Sequence, residues 1–475
     1  MDNLERRLEN FGAKKIFIGI FLLFGVMILL MRPPYRLMDE PVHFARAWQI
    51  SEGIFLSPIK IYDGKKNFGW ENRSPEASTE KMYSASVPSS LVPENFMFAI
   101  EDDSTAVKFS FDELRNYLAT PLNSDERETG LIPNTGVYPP PTYLPQALAA
   151  LLGRILNLNA GIIFYLMGLS GLIFVAACVY WAMKFLPEAK QLIFLLAMLP
   201  MFIIEAASTS ADAVTFGVCF LGTAWLLSLR NSTENFFRAE IFGLIILSIM
   251  LACSKSVYGT ILLLYFLIPR ERFKNFWVLG AAILFLNLFV SAAWTYLSVT
   301  MTGVDLATLR QYIGWEAVDV AAQKIFLAEH PAEFFYAMVH SLDTAKNYYL
   351  SGFIGVWGAN GEFYLPQIFY ILYLMILIFF ALTNGLIFKL GERLILIFAA
   401  GISFLACFLF DYLIWTPVGA DYVKGVQGRY FIPIAPMILC ALSILPPMKH
   451  KNLIAIAAGI FSGVMMLLAN FFAFY

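Results

Sequence analysis

The stretch "RPPYRLMDEPVHFARAWQISEG", residues 32–53, places the adjacent acids Asp39 and Glu40, a histidine and three arginines directly after the apolar run "IFIGIFLLFGVMILLM". Pro41 suits the first position of a helix, with Asp39 or Glu40 as its cap. Asp39, His43 and Arg46 then share one helical face at i, i+4 and i+7. A carboxylate held there beside a cation can take a proton from a hydroxyl nucleophile. The plainer reading is a capping acid at the start of a solvated helix face.

Two further clusters carry unusual residues. "NTGVYPPPTYLPQALAALLG", 134–153, offers Tyr138, Tyr143 and Gln146. They read as a wall for a sugar or lipid, or as a rigid proline turn with interfacial aromatics, and the second reading is the stronger. "GVQGRYFIPIAPM", 425–437, sets Gln427 and Arg429 at the start of an apolar run. An arginine at a helix N-terminus suits a phosphate; one at a span boundary also simply snorkels. Lys255 in "CSKSVYG" has the same two readings. Glu205 and Asp212 flank "AASTSA", with Asp212 a candidate cap, and Asp411 lies within an apolar run, where an acid is a functional candidate. No P-loop, GxSxG, HExxH or dinucleotide fingerprint occurs, so ATP-driven work and soluble-type cofactors have no support.

The elements that must position these residues are membrane helices. Of the 475 residues 59% are hydrophobic and 14% charged, against about 25% charged in soluble domains. Such a chain cannot cover a soluble globule with polar groups, and an integral membrane protein follows. A net charge of −2 gives no sign of nucleic acid. Cys178, Cys219, Cys253, Cys407 and Cys440 all lie in apolar runs without CxxC spacing, and read as small buried hydrophobes.

A span needs about 20 mostly apolar residues. Candidates are 14–31, 162–184, 188–206, 211–229, 237–253, 256–269, 275–299, 366–388, 394–415, 429–446 and 452–474. The segment 143–156 carries Arg154 and reads as an interfacial helix. Basic residues in the short connections put the N-terminus in the cytoplasm and the C-terminus outside. The expected class is an all-α integral membrane protein of about 11 spans. Its expected parts are 1–31 (N-terminus and first span), 32–161 (a long extracytoplasmic loop), 162–299 (spans two to seven), 300–365 (a second outer loop) and 366–475 (spans eight to eleven). The first loop shows helices at 40–52 and about 109–119 and no clear strand alternation. Residues 321–347 read as a helix interrupted at Pro331.

The fragments "MDEPVHFARAWQISEG", "YPPPTYLPQALAALLG", "STSADA", "SKSVYG", "LAEHPAEF" and "GVQGRYFIP" occur in this order over nearly the whole chain. In them the sequence resembles the domain-of-unknown-function 2142 family of bacterial polytopic membrane proteins, which looks like the GT-C superfamily of glycosyltransferases. The resemblance implies an enzyme of the bacterial cell membrane that moves a sugar from a polyprenyl-phosphate carrier to a cell-envelope polysaccharide on the outer face. It implies Asp39, with Glu40 beside it, as the catalytic acid pair of the first outer loop, and Arg429 as a ligand of the carrier phosphate. His43, Arg46, Tyr138, Tyr143, Gln146, Lys255 and Gln427 are the further candidate substrate contacts. No cofactor is expected, and one adjacent acid pair is thin for a metal site, although divalent-cation use differs among GT-C enzymes. The alternative from another class is a transporter or flippase for a lipid-linked glycan. Transporters often carry repeats and broken helices with polar residues at the midplane, and neither is clear in the sequence.

Overall fold

The computed structural model describes residues 5, 12–61, 81–92, 109–232, 238–304, 318–358, 361, 363–446 and 448–475. The chain opens with α1 (Ala13–Met31), then α2 (Glu40–Ser51), α3 (Phe111–Ala119) and α4 (Leu144–Ile155). Next come α5 (Ala160–Phe185), α6 (Lys190–Ala197), α7 (Pro200–Ala206), α8 (Asp212–Leu229) and α9 (Arg238–Cys253). A 3-10 helix, Ser256–Leu267, leads to α10 (Phe276–Thr295), which runs on through a π-helical turn to Thr300. The rest is α11 (Val320–Glu329), α12 (Pro331–Thr344), α13 (Lys346–Ile354), α14 (Gln367–Leu382), α15 (Leu390–Ile414), α16 (Ala435–Ala441) and α17 (Lys451–Phe474).

Among the described residues, six helices are long and apolar enough to cross a membrane: α1, α5, α8, the continuous Phe276–Thr300, α15 and α17. The other five segments expected to span are short or broken, and the breaks have causes. Pro200 forces Leu199 into extended backbone (ψ 128°) and splits 188–206 into α6 and α7. The segment 429–446 contains Pro433 and Pro436, and becomes a 3-10 turn, Gly428–Phe431, followed by the short α16. The run 256–269 is too short to span as an α-helix. Wound as a 3-10 helix at about 2.0 Å per residue, its twelve residues reach about 24 Å, most of a bilayer core.

The expectation of an all-α chain is corrected in the first long loop. There β1 (Ile59–Ile61), β2 (Lys81–Pro88) and β3 (Arg127–Leu131) form an antiparallel sheet in the order β1-β2-β3. Ile59 pairs with Tyr83, and Ser84 with Leu131. The strand β2 is buried on both faces over most of its length, so the short alternation Ser84-Ala85-Ser86-Val87 marks no solvent-facing side and gives only a weak strand signal in the sequence. One of its contacts is α2, where Gln49 Nε2 donates to Ser84 O at 2.8 Å. A second, two-residue pairing joins β4 (Val356–Trp357) to β5 (Phe363–Tyr364).

The helix α4 exposes Leu144, Leu148, Leu151, Leu152 and Ile155 along one stripe and buries Gln146, Ala147, Ala150 and Gly153 along the other. The five cysteines are free and buried.

One contact fixes the turn that carries Arg429. A Cβ on Gly428 would stand 2.0 Å from Tyr349 O and 2.5 Å from Phe353 N, both backbone atoms of α13. Only a glycine lets this turn lie so close to the helix. Gly428→Ala is therefore expected to destabilise the fold by about 1–3 kcal/mol. Heat-induced loss of the monodisperse protein in detergent checks this, and an unchanged midpoint would refute the contact.

Candidate functional site

The chain leaves α1 and enters α2 through two left-handed residues, Tyr35 (φ 63°) and Asp39 (φ 62°). Asp39 occupies the N-cap position of α2 but makes no capping hydrogen bond. A capping side chain needs extended backbone at that position to fold back on the N2 or N3 amide. The left-handed turn carries this carboxylate away from those amides. It accepts instead from Asn134 Nδ2 at 2.8 Å, and its other oxygen lies 3.6 Å from Arg429 Nη2. The capping reading of Asp39 is thereby set aside.

Arg429 is the centre of a buried cluster of charges. Its Nη1 meets Glu205 Oε1 at 2.5 Å, and its Nε lies 3.6 Å from Asp212 Oδ2. Asp212 Oδ1 in turn pairs with Lys255 Nζ at 3.0 Å. The Lys255 ammonium sits 4.0 Å from the Tyr430 ring centroid, a cation–π distance. The broken and short helices supply these groups. Glu205 ends α7, Asp212 begins α8, Lys255 precedes the 3-10 helix, and Arg429 lies in the 3-10 turn before α16. The turn "STSAD" between α7 and α8 is held by its own hydroxyls: Ser208 Oγ accepts from Ser210 N at 3.0 Å, and Ser210 Oγ from Asp212 N at 3.1 Å. The Asp212 carboxylate is thus left for Lys255 and Arg429 rather than for its own helix.

These groups face a cavity of about 700 Å³. Asp39, His43, Tyr138, Lys255, Gln427 and Arg429 line it, with Asn134, Asp212 and Tyr430 beside them. Ser291, Trp294 and Ser298 of the Phe276–Thr300 helix form one wall; Cys407, Phe410, Asp411 and Ile414 of α15 form another. A second cavity of about 30 Å³ lies against Glu205, Trp357 and Gly428, and shares Met38, Tyr348, Gln427 and Arg429 with the first.

A family model described as a predicted membrane protein, DUF2142, matches residues 22–438, a span that contains every residue of the cluster. The chain belongs to the DUF2142 family. No curated protein and no solved structure matches it.

In this DUF2142 chain the remaining candidates stand behind the cavity wall. Glu40, next to Asp39, is buried against Arg32 in an ion pair. Arg32 also donates to Ala207 O at 3.4 Å. Glu40 is not among the residues lining the cavity. Arg46 clamps backbone: it donates to Phe55 O at 2.6 Å, to Tyr138 O at 3.0 Å and to the Gln49 side chain at 2.9 Å. Burial draws the Arg46 guanidinium down to about 10. Gln146 Nε2 donates to Ser210 O at 3.2 Å, which steadies the turn before Asp212. Tyr143 reaches His43 Nδ1 with its hydroxyl at 2.6 Å.

His43 itself is at the cavity, its ring parallel to that of Tyr138 at 5.8 Å. Burial pushes its imidazole down to about 4, with Arg429 and Lys255 acting in the same direction and the attraction of Asp39 and Asp212 opposing it. It is a neutral ring near pH 7. Among the described residues no group of three or more His, Cys, Asp or Glu side chains is placed to hold a metal ion.

Two acids central to this geometry, Glu205 and Asp212, stood out in the sequence only as acids flanking "AASTSA", with Asp212 a candidate cap of the next helix, and no side-chain cap forms at that helix. Asn134 gave no signal, because "NTG" before prolines reads as an ordinary turn.

Proposed function

We propose that the protein is a GT-C-like glycosyltransferase that moves a sugar from a polyprenyl-phosphate carrier to a cell-envelope glycan on the outer face of a bacterial membrane. On this reading the five short or broken segments complete eleven spans, with the N-terminus cytoplasmic and the C-terminus and both long loops outside. The observation that carries the proposal is the 3.6 Å approach of Asp39 and Arg429 in one cavity, with Lys255 on the same wall. A base for the acceptor and cations for the leaving phosphate are thereby side by side.

The donor enters between helices from the lipid. Arg429 and Lys255 hold its phosphate; Arg429 Nε makes no hydrogen bond within the protein, its nearest carboxylate oxygen being Asp212 Oδ2 at 3.6 Å. An acceptor hydroxyl attacks the anomeric carbon while Asp39 takes its proton. The bond from that carbon to the phosphate oxygen breaks, and polyprenyl phosphate leaves with the electron pair. One displacement inverts the anomeric configuration. Three carboxylates, Asp39, Glu205 and Asp212, stand against the two cations. With the three carboxylates outnumbering the two cations by one, the site repels a singly charged phosphodiester less than a more highly charged pyrophosphate.

A second reading, a transporter or flippase for a lipid-linked glycan, is favoured by one observation. Glu205 and Arg429 sit in the interrupted segments 188–206 and 429–446, and buried charge at broken helices is a transporter feature. Comparison of the envelope glycan with and without the gene separates the two. A glycan lacking one sugar supports transfer; a complete glycan retained inside supports transport; an unchanged, correctly placed glycan refutes both.

A further inference from the structure

Asn134 reaches the site through the sheet of the first long loop. The strand β3 ends at Leu131, and Pro133 and Asn134 follow at the cavity edge. The segment is rigidly seated. Thr135 Oγ1 donates to Val42 O of α2 at 2.9 Å, and Gly136 lies so close to β2 that a Cβ there would stand 2.4 Å from Tyr83 Cβ. The orientation of the Asn134 amide is also determined. A carboxylate only accepts, so the nitrogen must face Asp39 Oδ1, and the carbonyl oxygen must face away from it. That oxygen is buried and has no hydrogen-bond partner. A buried acceptor left unsatisfied costs about 1–3 kcal/mol, a cost that a ligand hydroxyl removes.

We propose that Asn134 is a specificity-determining residue that receives a second hydroxyl of the acceptor, beside the one that reacts at Asp39, so that the acceptor is a carbohydrate with vicinal hydroxyls rather than a lone alcohol. The proposal rests on the glycosyltransferase reading above. Asp39 Oδ1 is engaged by Asn134, and Oδ2, which lies 3.6 Å from Arg429 Nη2, is the oxygen that takes the proton. Neighbouring hydroxyls on a sugar ring would address Asp39 Oδ2 and Asn134 Oδ1 together. The amide thus has two tasks: its N–H₂ aims the base, and its carbonyl selects the acceptor.

The test uses the full-length protein in lipid, polyprenyl-phosphate-linked sugars as donors, and methyl glycosides and their monodeoxy analogues as acceptors. The wild type is expected to favour a vicinal diol over the matching monodeoxy acceptor by about 10- to 100-fold in kcat/KM. Asn134→Ala is expected to lose that preference while its KM for the donor stays as in the wild type. The ratio is taken within one preparation, so a smaller folded fraction cancels; Asn134→Ser repeats the comparison should the alanine variant not fold. A variant that discriminates as the wild type does overturns the role of Asn134 and leaves the proposed function standing. Absence of transfer by the wild type from every donor sinks both.

Discussion

Asp39→Asn is expected to leave a folded membrane protein whose sugar transfer is reduced by about 10²- to 10⁴-fold, the usual worth of a positioned acid–base group. Asparagine is nearly isosteric and, like aspartate, tolerates the left-handed backbone that Asp39 adopts (φ 62°). Its amide can still meet Asn134. What it cannot do is accept a proton from the acceptor hydroxyl. Asp39→Ala makes the contrast. It removes the same chemistry and also puts a residue without that backbone tolerance into a left-handed position, at a further cost of about 1 kcal/mol. Transfer assays on both variants, beside their heat stability in detergent, separate reactivity from backbone strain. Full transfer by Asp39→Asn would remove the carboxylate from the mechanism. Asp39→Ser sharpens the point, since serine is a good N-cap. A stability equal to the wild type in that variant would restore the capping role.

The second large effect concerns Arg429. Read as a phosphate ligand at a span boundary, its removal should weaken only the use of the donor. The structure gives it a larger part: it is the buried counter-ion of Glu205 at 2.5 Å and lies 3.6 Å from both Asp212 and Asp39. Arg429→Ala leaves carboxylates buried beside an empty position, and breaking a buried pair from one side costs about 3–5 kcal/mol. That is a large share of the roughly 5–15 kcal/mol that holds a typical protein folded. The expected result is a sharp loss of folded protein on size-exclusion chromatography, and a lower heat-unfolding midpoint in what survives. Adding Glu205→Gln, which removes the closest stranded charge, is expected to recover part of the fold but none of the donor use. Wild-type heat stability in Arg429→Ala would mean that the cluster does not depend on this cation.

The neighbours Asp39 and Glu40 show where reading along the chain stops. On an ideal helix start they are interchangeable acids. A left-handed turn at Asp39 sends one to the cavity and leaves the other against Arg32. No residue type in "MDEPV" announces that turn. The faces of α2 were legible in part: His43 faces the cavity, whereas Arg46 is spent on carbonyls of the loop that packs over it. The prolines at 200, 433 and 436 were visible from the start. That they break the apolar segments next to Glu205 and Arg429 matters only because of where those charges lie once the helices pack.

By itself the sequence determined the membrane class, because a chain with so few charges has no soluble surface to offer. It also determined the stretches that hold the site and the break at Pro331, which follow from local hydropathy and from the stereochemistry of proline. The tertiary structure alone decided that the first long loop forms a sheet, that Asn134 meets Asp39, and that Arg429 turns inward to three carboxylates. Those outcomes depend on contacts between residues far apart in the chain. A buried charge takes its nearest partner in space, and the order of residues does not state who that will be.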